Sequence, residues 1–232
     1  MNDQVLSEVK LREWVRYLRA GVIVVAILIV GGIVKLVMDQ RKDARNEAAF
    51  SALVEVERSE NEAAKEAEAL KITAEEAMKK WPAEKKADYA SKLQGVIKTH
   101  EGTLASAQAA LKLARWKYLD GKYPEAVTDY QNAIRLADGS GSPLLKAMAF
   151  EGLGVSYEAQ NNCAEAVKIY GQALSEKQNP MKPLAYFGKA RCSLASGDKA
   201  QARASLDAIV KEFPNSRYEK KAKALQALIP EA

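Results

Sequence analysis

The chain has 232 residues, 48% hydrophobic but only 7% aromatic, with alanine dominating the apolar count and glycine sparse, which favours closely packed helices over a β-rich core. The net charge of +5 is mild, and from Met38 onward 30 basic and 27 acidic residues are dispersed as on a solvated helical surface, which excludes the dense basic footprint of a nucleic-acid binder. Cys163 and Cys192 form no CxxC, and the single histidine, His100, lies in a turn-like "IKTHEGT" with no nucleophile beside it, so zinc, thiol-redox and histidine chemistry have little to stand on.

Residues 1–19 form a short basic tail with Lys10, Arg12, Arg16 and Arg19. The run "AGVIVVAILIVGGIVKLVM" over 20–38 carries no charge until Lys35. As a helix it spans about 28 Å, close to a bilayer core of roughly 30 Å. Trp14 and Tyr17 precede it as interface anchors would. A cleaved signal peptide is the competing reading. The length of the run, the lack of a following A-x-A site and the charged "DQRKDARNEAAF" favour an uncleaved single span. Cations flank it almost equally, with Lys35, Arg41, Lys42 and Arg45 behind it. A short tail with four basic residues resists export, which puts the N-terminus inside and the large domain outside the cytoplasmic membrane.

Residues 39–102 read as a helical stalk or helix pair. Ala49, Leu53, Val56, Glu60, Ala63, Ala67, Leu70, Ala74, Ala77 and Trp81 fall at alternating steps of four and three, on one helical face. Pro82 ends this pattern, and "TAEE" at Thr73 to Glu76 fits a capping box, so residues 44–81 form either one helix or two. The stripe is mostly alanine. It packs against the chain's own next helix or, alternatively, dimerises. That next helix, Pro82 to Lys98, is expected to bury Ala90, Leu93 and Ile97.

Three segments then align: "AALKLARWKYLDGKYPEAVTDYQNAI", "FEGLGVSYEAQNNCAEAVKIYGQAL" and "YFGKARCSLASGDKAQARASLDAIV". Small residues coincide at Ala126, Ala166 and Ala202 and at Ala114, Gly154 and Ala190, and larger ones at Tyr130, Tyr170 and Leu206. The turns coincide at Gly121-Lys122, Asn161-Asn162 and Gly197-Asp198. Small residues let paired helices cross closely, and the bulky ones fill the gap to the neighbouring pair. The pattern resembles the tetratricopeptide repeat, three degenerate copies over 103–214. Lys117, Lys189 and Ser193 depart from it, and the extra residues "DGSGSP" after the first copy read as a loop. "NSRYEKKAKALQALI", within 215–232, reads as a polar capping helix. The expected fold is all-α: one N-terminal transmembrane helix, a helical stalk and a tetratricopeptide-type α-solenoid.

The whole layout, with "GTLASAQAALKLA" over 102–114, also resembles the YfgM family of ancillary subunits of the SecYEG translocon. That resemblance implies a bacterial inner-membrane protein with a periplasmic repeat domain and protein partners, the translocon or periplasmic chaperones among them. The alternative is a structural or oligomeric organiser of cell-wall, outer-membrane or secretion machinery. No cofactor, metal or catalytic residue is expected, and no enzyme. By analogy with the repeat family, the groove-facing residues are Leu111, Arg115, Tyr118, Met148, Glu151, Val155, Glu158, Leu184, Phe187 and Arg191. The Lys/Asn/Arg clamp that some such repeats use for a partner's carboxylate is absent. In the repeat register Cys163 and Cys192 fall on neighbouring helices at similar height. A disulfide is conceivable, and two buried free thiols are the simpler expectation.

Overall fold

The computed structural model describes residues 3–229, with side chains from Leu28 onward. All regular structure among them is helical: α1 (Asp3–Leu70), α2 (Ala74–Lys79), α3 (Ala83–Thr99), α4 (Leu104–Leu119), α5 (Tyr123–Gly139), α6 (Pro143–Ala159), α7 (Cys163–Ser175), α8 (Lys182–Ala195), α9 (Lys199–Glu212) and α10 (Glu219–Gln226). The chain divides into two units, Met1–Glu47 and Ala48–Ala232.

In the first unit, Leu28, Ile29, Val30, Ile33, Val34, Leu36, Val37 and Met38 are all exposed on consecutive turns of α1. Among the described residues no helix is long and apolar enough to cross a membrane. The span expected over 20–38 falls partly on residues 20–27, outside the described side chains, as do the tail cations, Trp14 and Tyr17.

The second unit begins with the alanine-rich stripe. Ala49, Leu53, Val56, Ala63 and Ala67 of α1 are buried with Ala77 and Trp81 in one cluster, completed by Tyr89, Leu93 and Val96 of α3 and Ala105, Ala109, Leu113 and Trp116 of α4. Leu70 is exposed, because the helix stops there. Lys71 adopts a φ of 54°, and Thr73 caps α2 in a reciprocal box with Glu76. The chain therefore takes the two-helix alternative. On α3 the buried face is Tyr89, Leu93 and Val96, one residue off the expected one, and Ala90 and Ile97 are half-buried at its edge. Trp81, Tyr89 and Trp116 meet with ring centroids 5.6–5.9 Å apart. Glu60, the one acid in the stripe, accepts hydrogen bonds from the Tyr89 hydroxyl and from Lys112 Nζ. Burial and that acceptor push the Tyr89 phenol up, so it stays a neutral donor.

The pairs α4–α5, α6–α7 and α8–α9 follow. Ala114, Ala126, Ala166, Ala190 and Ala202 are fully buried at the crossings. Gly121, Asn161 and Gly197 hold the three turns at φ of 77°, 57° and 81°. Tyr130 of α5 lies where a Cβ on Gly152 of α6 would sit, 2.2 Å from its ring. Tyr170 of α7 lies between two such notches: a Cβ on Gly154 would come within 2.5 Å of the ring, and one on Gly188 of α8 within 2.4 Å. The residues after the first copy do not form the loop expected for "DGSGSP". Aspartate and glycine extend α5 to Gly139, leaving Ser140, Gly141 and the cap Ser142 as the connection. Ser193, at a position usually apolar in this repeat pattern, is buried and donates to Gln201 Oε1 at 2.8 Å. α10 closes the far end, burying Ala222 beside Leu206 and Ile209.

The notches predict a sharp contrast among glycines. Gly154→Ala and Gly188→Ala each overpack Tyr170 and should cost about 1–3 kcal/mol. Gly171→Ala, inside α7 with open space around its Cβ, should instead stabilise by about 0.5–1 kcal/mol. Thermal melts of the three variants check this, and equal effects at Gly154 and Gly171 would contradict it.

Candidate functional site

The first helices α4 and α6 leave a groove of about 730 Å³ between them. Six of the ten residues expected there line it: Leu111, Arg115 and Tyr118 from α4, and Met148, Glu151 and Val155 from α6. Leu144 adds an exposed apolar side chain at the mouth. The remaining four lie elsewhere. Glu158 and Arg191 pair with each other, Phe187 packs between the ring of Tyr218 (5.7 Å) and the guanidinium of Arg191 (5.5 Å), and Leu184 is half-buried on α8 outside the groove lining. Phe187 is thus held by the C-terminal cap.

The sequence pattern missed one wall. Glu57 of α1, Glu75 of α2 and Lys112 of α4 also line the groove, and the two acids neutralise cations of its lining. Lys112 pairs with Glu57 at 3.3 Å and Glu60 at 2.7 Å, and Arg115 pairs with Glu75. These partners lie 40 or more residues away in sequence, so no local spacing announces them.

Glu151 stands apart. It is half-buried, and among the described residues its carboxylate makes neither hydrogen bond nor ion pair. Burial raises its carboxyl above the ordinary glutamate value, with Arg191 and Arg115 opposing from beyond pairing distance. Burial also raises the Tyr118 phenol, whose ring lies 5.3 Å from that of Tyr123. Beyond the groove, Glu158 accepts from the Tyr170 hydroxyl and from Arg191 Nη2 at 2.8 and 3.0 Å, which ties α6, α7 and α8 together.

A second opening is lined by Glu158, Cys163, Arg191 and Cys192. Both cysteines are free thiols, Cys192 buried and Cys163 half-buried. Burial first, then Cys163, pushes the Cys192 thiol up, which keeps it protonated and a poor nucleophile at neutral pH. Among the described residues no group of three His, Cys, Asp or Glu side chains is placed to hold a metal ion.

Comparison with known proteins agrees with this geometry. Two tetratricopeptide-repeat models match, one over residues 105–179 and one over 151–217. The chain carries tetratricopeptide repeats across α4 to α9, a type of module that in general binds protein partners and is non-enzymatic. No curated protein matches the chain.

Two outcomes follow from the electrostatics. A carboxyl whose folded-state pKa lies above its unfolded value makes the native state bind the extra proton, so stability falls as pH rises through that range. Glu151→Gln should therefore melt later than the parent at neutral pH, with the gap closing in acid. An earlier melt would mean that Glu151 has a stabilising partner. Arg191→Met strips Glu158 of its counter-charge and should cost about 1–3 kcal/mol in a denaturant titration. An unchanged midpoint would show the pair to be idle.

Proposed function

We propose that the chain is a membrane-anchored scaffold that holds protein partners in the α4–α6 groove, as an accessory factor of envelope protein translocation or chaperone networks. In this reading the short N-terminal tail is cytoplasmic, one helix crosses a bacterial inner membrane, and the repeat unit lies in the periplasm. The translocon and periplasmic chaperones are the partners. The observation that carries the binding role is the groove itself, an opening between repeat helices with Leu144 and Met148 exposed at its mouth.

Anchoring is supported by the charge-free run from Ala20 to Val34 and by the exposed apolar residues of α1 from Leu28 to Met38, which water solvates poorly. The stripe over residues 49–81 gives less support to a dimerising stalk, because most of it is buried against α3 and α4.

Two measurements test the proposal. Carbonate extraction should leave the chain in the membrane fraction, and release of a shortened soluble form would overturn the anchor. A photo-crosslinking residue at Met148 should yield adducts with translocon subunits in native membranes, while the same residue at Lys168, exposed on α7, should not. Equal adducts from both positions would overturn the groove as the site of partner capture.

A further inference from the structure

The charges around the groove are not balanced in the way a mixed lining suggests. Lys112 and Arg115 are its two cations, and Glu57, Glu75 and Glu151 its three carboxylates, which leaves one net negative charge. Both cations are already held by acids of α1 and α2. Arg191, the cation that acts most strongly on Glu151, is held bidentately by Glu158. Lys112, Arg115 and Arg191 are thus each paired with an acid of the fold, while Arg217, which also acts on Glu151, lies over the Tyr218 ring and donates to its hydroxyl; among the described residues Glu151 is the carboxylate of the lining left without a partner.

A half-buried carboxylate with no internal partner costs folding free energy, since burial removes water that it needs when ionised. Replacing it with an apolar residue would remove that cost. Its presence calls for a compensating charge from outside. The surroundings narrow the form of that charge. Leu111 and Val155 are half-buried and Leu144 and Met148 exposed, all lining the same groove, and Tyr118 adds an aromatic ring and a phenol that makes no hydrogen bond among the described residues. A compact cation on an apolar stem fits such a lining: the stem lies against Leu144, Met148 and Val155 while the head meets the carboxylate and the phenol. An acidic terminus or phosphate would meet an unpaired anion, and both cations of the lining are already held by acids of α1 and α2.

We infer that the groove recognises a peptide segment carrying a lysine or arginine flanked by apolar residues, with the cation paired to Glu151. The inference rests on the scaffold reading and sharpens it, naming the chemistry of the segment that a partner must present.

Fluorescence anisotropy with the full chain in non-ionic detergent tests it, using three labelled peptides Gly-Leu-Ala-X-Ala-Leu-Gly in which X is lysine, glutamine or glutamate. The lysine peptide should bind roughly tenfold more tightly than the glutamine one, the worth of one charge-assisted pair, and the glutamate peptide should bind most weakly. Glu151→Gln should reduce the lysine-to-glutamine ratio to about one while leaving the glutamine peptide's affinity unchanged, and Glu151→Lys should favour the glutamate peptide. Circular dichroism of each variant checks that the helices persist. Equal binding of the three peptides to the parent, weakened alike by Met148→Ser, would overturn the cation inference and leave the groove standing as an apolar site. A lysine preference that survives Glu151→Gln would overturn it as well. Binding by none of the three at millimolar concentration would overturn both the inference and the groove reading beneath it.

Discussion

The seat of Tyr170 between Gly154 and Gly188 is the constraint on which the repeat unit depends. Its ring fills the space that a Cβ on either glycine would need, so α6 and α8 close onto α7 at a fixed distance. Its hydroxyl then reaches Glu158, which also receives the Arg191 guanidinium. One side chain thereby sets the spacing of three helices and, through its polar end, their rotation about one another. Tyr130 against Gly152 repeats the steric half of this device one pair earlier, without an equivalent carboxylate partner among the described residues. The groove inherits its form from both seats. On α6, Gly152 and Gly154 lie between Glu151 and Val155, so the tyrosine seats fall in the same turn of helix as residues that line the groove.

The helices before the repeats shape the site as much as the repeats do. The reciprocal cap at Thr73 turns the chain so that α2 brings Glu75 to Arg115, while α1 brings Glu57 and Glu60 to Lys112. Without these acids α4 would present two free cations, and the groove would suit an acidic segment. With them the one charge left over is Glu151. The segment that reads as a stalk in the sequence therefore decides the electrostatic sign of the site.

The repeat packing was legible because it is local and steric. Ala126, Ala166 and Ala202 and the turns at Gly121, Asn161 and Gly197 recur at matched places, and each is buried or turned where the alignment puts it. Six of ten groove residues followed from the same register. The rest was hidden in pairings between distant residues. Nothing near Phe187 signals that Tyr218 will cover it, nor does Arg115 announce Glu75, 40 residues earlier. Glu60, the one acid in the stripe, is the acceptor that satisfies Tyr89 and Lys112, both distant in sequence. The lengthened α5 was missed because glycine and serine read as loop, whereas only Ser140, Gly141 and Ser142 of the segment lie outside the helices.

Methionine methyl groups offer the most direct view of the groove in use. The chain has five methionines, of which Met148 and Met181 line the groove, Met78 is buried in the α1–α4 cluster and Met38 lies on the exposed apolar face of α1. In a titration of the methyl-labelled full chain with the lysine-bearing peptide, the Met148 and Met181 resonances should shift along a single binding curve, while those of Met38 and Met78 stay in place. Binding that moves Met38, or that leaves Met148 unmoved, would contradict the account.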